Sequence, residues 1–163
     1  MGNVADVLSQ KTSEKRSAHV YTISPTATVI AATKLMNRHK IGALVVVAPD
    51  GNFDNTDENA PCDRVVGMFT ERDVLTRVVG EQRDPAQTFV EEVMTSEVAF
   101  CRPHSTLDEV GGVMRERHIR HLPVCGGGGE LLGLVSIGDL NAWNARGQEV
   151  TIQYLHEYIH GRV

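Results

Sequence analysis

Gly67-Met-Phe-Thr70-Glu-Arg-Asp73, in the middle of the chain, returns near its end as Gly133-Leu-Val-Ser136-Ile-Gly-Asp139. Each copy places a glycine, two apolar residues and a hydroxyl, then a carboxylate three positions on. The match extends upstream. Val4-Ala-Asp-Val-Leu-Ser9 pairs with Val90-Glu-Glu-Val-Met-Thr95, and Pro25-Thr-Ala-Thr28 with Pro103-His-Ser-Thr106. Lys40-Ile-Gly-Ala-Leu-Val-Val46 pairs with His118-Ile-Arg-His-Leu-Pro-Val124. Repeats with one element order pack so that each buries what its twin exposes. Any pocket that one copy makes is then expected twice, about a pseudo-two-fold axis.

Working outward, each copy reads helix, strand, helix, strand, strand, helix. Asn3 caps a short helix carrying Val4, Val7 and Leu8 on one side. His19 to Ile23 is extended and stops at Pro25. Thr28 then caps a helix with Val29, Ala32, Leu35 and Met36 at helical spacing. The valine-rich run from Ala43 to Ala48 predicts a strand buried on both faces, with Val65 to Phe69 as its neighbour. A helix from Glu71 to Val79 closes the copy, with Val74, Leu75, Val78 and Val79 predicted inward.

In the second copy Val98 to Cys101 is predicted extended. Thr106 and Glu109 form a capping box ahead of Leu107, Val110, Val113 and Met114. Gly111 and Gly112 inside that helix cost about 1 kcal/mol each against alanine, so either close packing compensates or the helix is soft. His121 to Cys125 and Leu131 to Val135 are strands joined by a turn at Gly126 to Gly129. Gln148 to His160 predicts one more helix, with Val150, Ile152, Leu155, Tyr158 and Ile159 apolar.

Between Ala48 and Asp63 the first copy carries residues that the second lacks. They are polar and turn-rich, which predicts a surface excursion. Asp50, Asn52, Asp54, Thr56 and Glu58 alternate as in a calcium loop. Asn55 replaces that loop's sharp-turn glycine and Pro61 its closing Glu, so a solvated acidic loop is expected instead.

The chain has 163 residues, 41% hydrophobic and 23% charged, an ordinary balance for one globular domain or two small units sharing a core. A net charge of −5 without a Lys/Arg cluster argues against a nucleic-acid surface, and one Trp with three Tyr gives no stacking platform for nucleic acid. Cys62, Cys101 and Cys125 lack C-x-x-C spacing, which predicts reduced thiols and a cytoplasmic setting. No apolar stretch suits a signal peptide or a membrane span. Met1-Gly2 lacks the Ser or Thr of a myristoylation motif, since Asp6 stands there.

The paired G-h-h-[ST]-x-x-D motifs, each following a β-rich stretch and opening a helix, resemble tandem cystathionine β-synthase (CBS) domains. The resemblance runs from Val4 to about Trp143. It implies an α+β fold: two pseudo-two-fold-related repeats, β-α-β-β-α each, packed sheet to sheet as one module with a C-terminal helical extension. The expected divisions are 1–80 for the first repeat, with 48–63 as a hairpin insertion, 81–147 for the second, and 148–163 for the last helix.

The resemblance also implies adenosine-ligand clefts between the repeats. Asp73 and Asp139 would accept hydrogen bonds from ribose hydroxyls, with Thr70 and Ser136 beside them. Such charge-assisted bonds contribute roughly 1.5–3 kcal/mol each. The same residues also satisfy the capping-box pattern, and the two roles can coexist. For the Asp139 cleft the resemblance brings Thr22, Ile23 and Ala27 from the other repeat towards the base, and Arg120 and His121 towards phosphate. In the Asp73 cleft Gly42 and Ala43 stand where Arg120 and His121 stand in the second copy. Arg72, whose counterpart is Gly138, is a substitute cation. The clefts are therefore not equivalent, and ligand phosphates are expected between them. Ile41, Met68 and Pro123 are candidate apolar walls for a purine.

His156-Glu157-Tyr-Ile-His160 spells the H-E-x-x-H zinc motif, but only Gly161, Arg162 and Val163 follow to supply a third ligand. A zinc hydrolase is thus a distant alternative. Ser136 does not sit in a G-x-S-x-G elbow, so no hydrolase nucleophile stands out. The expectation is a regulatory CBS-pair protein without catalysis and without a catalytic cofactor. It would bind AMP, ADP or ATP, with AMP first, or alternatively NAD or S-adenosylmethionine. A homodimer and an unknown regulated protein complete the expectation, with no nucleic acid or membrane partner.

Overall fold

The computed structural model describes residues 2–13, 19–49, 62 and 64–159, with the side chains of 151 and 153–159 outside that description. The first copy runs α1 (Val4–Ser13), β1 (Thr22–Ile23), α2 (Val29–His39), β2 (Ala43–Val47), β3 (Val65–Thr70) and α3. α3 begins as an α turn, Glu71–Asp73, and continues as the π-helical Val74–Val79. The second copy runs α4 (Val90–Val93), α5 (Leu107–Glu116), β4 (His121–Cys125), β5 (Leu131–Ser136) and α6 (Ile137–Ile159). Matched hydroxyls start matched helices. Thr28 Oγ1 accepts from the Ala31 amide at 3.3 Å, and Thr106 Oγ1 from the Glu109 amide at 3.2 Å. Each bond satisfies an amide that the first helical turn leaves without a partner.

The sheets repeat the register of the motif. β2 pairs antiparallel with β3, Val45 opposite Met68, and β4 pairs antiparallel with β5, Pro123 opposite Leu134. β1 adds a parallel strand beside β2, Thr22 opposite Val45. Its expected counterpart over Val98 to Cys101 is reduced to one parallel bridge, Cys101 to Val124. The Gly126–Gly129 turn closes as expected, with Gly126 N–H donating to Glu130 O at 2.8 Å and Gly129 at φ 84°.

Three apolar clusters hold these elements. One combines Val29, Met36, Leu44 and Phe69 of the first copy with Val90 and Val93. Another combines Leu107, Met114, Leu122 and Val135 of the second copy with Val4 and Val7. The third, Ala43, Val45 and Met68 with Leu131 and Leu134, joins the two sheets. The first helix of each copy therefore packs into the core of the other. Backbone bonds fix the exchange symmetrically: Val4 N–H to Ser105 O and Ala5 N–H to Pro103 O, at 3.0 and 2.9 Å, match Val90 N–H to Ala27 O and Glu91 N–H to Pro25 O, at 2.8 and 3.0 Å.

Some expectations are corrected. In α3, Val78 is buried and Val74 partly so, while Leu75 and Val79 are 66% and 62% exposed rather than inward. The widened i→i+5 turn, seen in Gly80 N–H donating to Leu75 O at 2.9 Å, changes the period on which an α-helical pattern rests. No separate helix begins at Gln148, because α6 continues unbroken from Ile137. A Cβ at Gly111 would make an ordinary contact with Leu140 at 3.4 Å and one at Gly112 would meet nothing within 4 Å, so close packing accounts for neither glycine. The calcium-like stretch from Asp50 to Pro61 and the complete His156–His160 motif lie outside the described residues.

The thiols are also corrected. Cys62 and Cys125 form a disulfide, their Cα atoms 5.4 Å apart, inside the range such a bond needs. The hairpin ends of the two sheets bring together cysteines that are 63 residues apart in sequence. Cys101 stays free and buried, and burial pushes its thiol up to about 12. A loop of that length removes about 4 kcal/mol of unfolded-chain entropy in the loop-closure model. Urea unfolding of Cys62→Ser should show a stability loss of up to about that size. A midpoint equal to that of the oxidised wild type would show that the bond does not constrain the unfolded chain.

Candidate functional site

The strand-to-helix turns of the two motifs place Asp73 and Asp139 under their own backbones. Asp73 Oδ2 accepts from Thr70 N–H at 2.8 Å and Thr70 Oγ1 at 3.1 Å. Asp139 Oδ2 accepts from Ser136 N–H at 2.8 Å and Ser136 Oγ at 2.9 Å. The helix-start role of both pairs is thus realised. The remaining partners differ. Asp73 Oδ1 accepts from Thr95 Oγ1 at 3.4 Å and lies 3.8 Å from Arg77 Nε. Asp139 Oδ2 receives Lys11 Nζ at 2.9 Å.

The residues ahead of β2 and β4 are matched as well. Lys40 and His118 both adopt left-handed backbone, φ 54° and 53°, and turn the chain into the strand. His118 O there accepts from Arg72 Nη1 at 3.2 Å, tying the first motif to the second copy.

Among the described residues, three cavities follow from this arrangement. The first, about 300 Å³, has Thr70, Arg72, Asp73, Met68 and Gly42 on one side and Arg120 and His121 on the other. The second, about 530 Å³, lies between the motifs and is lined by Ile41, Gly42, Glu71, Arg120, His121 and Ser136. The third, about 210 Å³, is lined by Lys11, Tyr21, Ile41, Ala43, His121 and Ser136. His121 reaches all three, and Arg120 the first two. Thr22, Ile23, Ala27, Pro123 and Asp139 are not on these walls. Thr22 is exposed, Ile23 and Ala27 pack on the first core, and Pro123 is buried in β4.

Several lining residues were not singled out from sequence. Arg77, Arg117, Thr95 and Glu97 border the first cavity, and His19 and Tyr21 the third. Thr95 was within reach, since it stands in the repeat alignment opposite Ser9. Arg117 and Arg77 carry no such signal, being ordinary helix-surface arginines until the fold brings them together.

Comparison with known proteins agrees with this architecture. The CBS domain model matches residues 14–80 and again 90–144. The chain belongs to the CBS-domain family. The CBS domain-containing protein YhcV of Bacillus subtilis is 33% identical over 124 residues, 76% of this chain and 78% of its own. A putative signal-transduction protein with CBS domains from Burkholderia ambifaria is 38% identical, with TM-score 0.71, covering 85% of this chain and 90% of that one. The CBS domain pair of protein MJ0100, solved with 5′-methylthioadenosine and S-adenosyl-L-methionine, is 21% identical with TM-score 0.68, over 90% of this chain and 98% of that one. That likeness is one of fold alone.

His121 stands at the centre of this CBS pair, on the walls of all three cavities. Burial, then the neighbouring Arg120, lower its pKa from the ordinary 6.5, against the pull of Asp139. The imidazole is therefore held neutral, and Arg120 carries the permanent charge. Unfolded His121 takes its proton at the ordinary value and folded His121 only at a lower one. The stability it contributes is present above about pH 6.5 and is lost as pH falls through the folded pKa. His121→Gln should flatten the acid limb of melting temperature against pH, measured from pH 7.5 to 5. An unchanged limb would assign that acid sensitivity to other groups.

Proposed function

We propose that this CBS pair is a non-catalytic sensor of an adenine nucleotide, AMP in first place, read out through a homodimer by a partner protein. The observation that supports it most is the two-ended character of the 300 Å³ cavity. Thr70 and Asp73 stand at one end, and Arg117, Arg120 and His121 come from the other repeat. A carboxylate accepts vicinal hydroxyls, and guanidinium groups pair with phosphate oxygens in a forked geometry. The adenosine ligands of MJ0100 are in keeping with the same class of ligand. NAD and S-adenosylmethionine remain in the test set on that ground.

Regulation follows by linkage. A ligand touching both repeats favours the arrangement it fits best, and shifts the equilibrium by its differential affinity for the two states. Melting should be followed with AMP, ADP, ATP, NAD and S-adenosylmethionine in turn. A ligand at 100 times its Kd that binds only the folded chain adds about 2.7 kcal/mol. One of the five is expected to raise the melting temperature of the wild type and to lose that effect in Asp73→Ala. No shift with any of them would make the repeats a scaffold for protein contacts.

The dimer surface we assign is the outer face of α3, where Leu75 and Val79 stand exposed. Its counterpart α6 buries Leu140 and half-buries Trp143 against its own core, and exposes Val150 and Ile152 further along. Light scattering should give twice the 17.9 kDa of one chain, and Leu75→Glu with Val79→Glu should return the mass to 17.9 kDa. A wild-type particle of 17.9 kDa, with and without ligand, would remove the dimer from the proposal.

A further inference from the structure

We infer that Lys11 closes the Asp139 cleft from within, so that each chain takes its ligand in the Asp73 cleft alone. This rests on the adenosine-ligand function proposed above, and names which of its two clefts works. Lys11 lies in the last turn of α1, and the exchange of first helices carries it into the second copy. There Nζ donates to Asp139 Oδ2 at 2.9 Å and to Leu134 O at 3.0 Å. Only 19% of the lysine side chain and 20% of the aspartate side chain are exposed.

An ammonium bonded to Asp139 Oδ2 and to the Leu134 carbonyl neutralises the carboxylate that a ribose would use. A sugar hydroxyl that displaces it from Oδ2 takes a mostly buried cation from its charge partner, which is costly. The wall of the 210 Å³ cavity shows the result, since Lys11 and Ser136 line it and Asp139 does not.

The Asp73 cleft carries the opposite charge at the matching place. Ser9 aligns with Thr95, so Lys11 aligns with Glu97, and Glu97 lines the 300 Å³ cavity together with Asp73. A carboxylate there cannot neutralise Asp73. Arg77 is the nearest alternative cation, with Nε 3.8 Å from Asp73 Oδ1. Its Nη1 instead donates to Val93 O and Met94 O, at 3.2 and 2.6 Å. Lys11 and Glu97 thus give the two clefts opposite charges at matched positions.

Isothermal titration with AMP, ADP, ATP, NAD and S-adenosylmethionine in turn tests this. The wild type should bind one nucleotide per chain and Lys11→Met two, while Lys11→Met with Asp139→Ala should return to one. Glu97→Lys transplants the ammonium to the other cleft and leaves Lys11 intact. It should weaken wild-type binding about tenfold or more, the worth of one charge-assisted hydrogen bond. Two sites in the wild type, one site in folded Lys11→Met, or undiminished affinity in Glu97→Lys would each overturn the role of Lys11 and leave the sensor standing. No binding by either wild type or Lys11→Met would overturn the sensor, and this inference with it.

Discussion

The exchange of first helices is the constraint on which the rest of the molecule depends. α4 has four residues and could not persist by itself, because helix nucleation is unfavourable and so short a segment gains too few bonds. It exists because Val90 and Val93 are buried in the first core, as Val4 and Val7 are in the second. Burial of a valine contributes roughly 1.5–3 kcal/mol, so each pair of valines ties one copy to the other. The motif glycines belong to the same constraint. A Cβ at Gly133 would stand 2.7 Å from Leu8, and one at Gly67 would press on Met94, the residue that matches Leu8. The glycine of each motif makes room for the borrowed helix, and the hydroxyl and carboxylate then start the next one.

Symmetry of backbone does not extend to symmetry of charge. The same turn, register and left-handed residue recur in both copies, yet Asp73 and Asp139 meet different neighbours. Arg120 and His121 have Gly42 and Ala43 as their counterparts, so cationic groups gather on the second copy and face the first motif. The π-helical continuation of α3 adds to the difference. Leu75 and Val79 are exposed, as are their counterparts Asn141 and Ala145, but Val78 is buried where the matching Asn144 of α6 is exposed.

Much of this was legible in the chain. Two copies of one motif announced two related units, and the hydroxyl caps at Thr28 and Thr106 fixed where their helices start. Thr70-Asp73 and Ser136-Asp139 were readable as turns with paired oxygen acceptors. What could not be read was long-range. A helix with two inward valines fits either core, so the exchange leaves no local signature. The inward face of α3 failed because its hydrogen bonds skip five residues rather than four, which residue types do not announce. The pairing of Cys62 with Cys125 depends on two hairpin ends meeting in space. Lys11 and Glu97 were the exception: their opposite charges at aligned positions were visible, but they gained meaning only when α1 was seen beside Asp139.

Clasped halves carry a mechanical consequence. The connection over residues 80–89 is one covalent tether between units already hooked through each other by their leading helices. Opening the chain at that connection would leave each half missing a piece of its core, and each holding the piece the other lacks. With the Cys62–Cys125 bond reduced, force applied along the chain would therefore have to extract a helix before it could separate the sheets. A molecule lodged between the sheets would share that load, making resistance to pulling a direct report of occupancy.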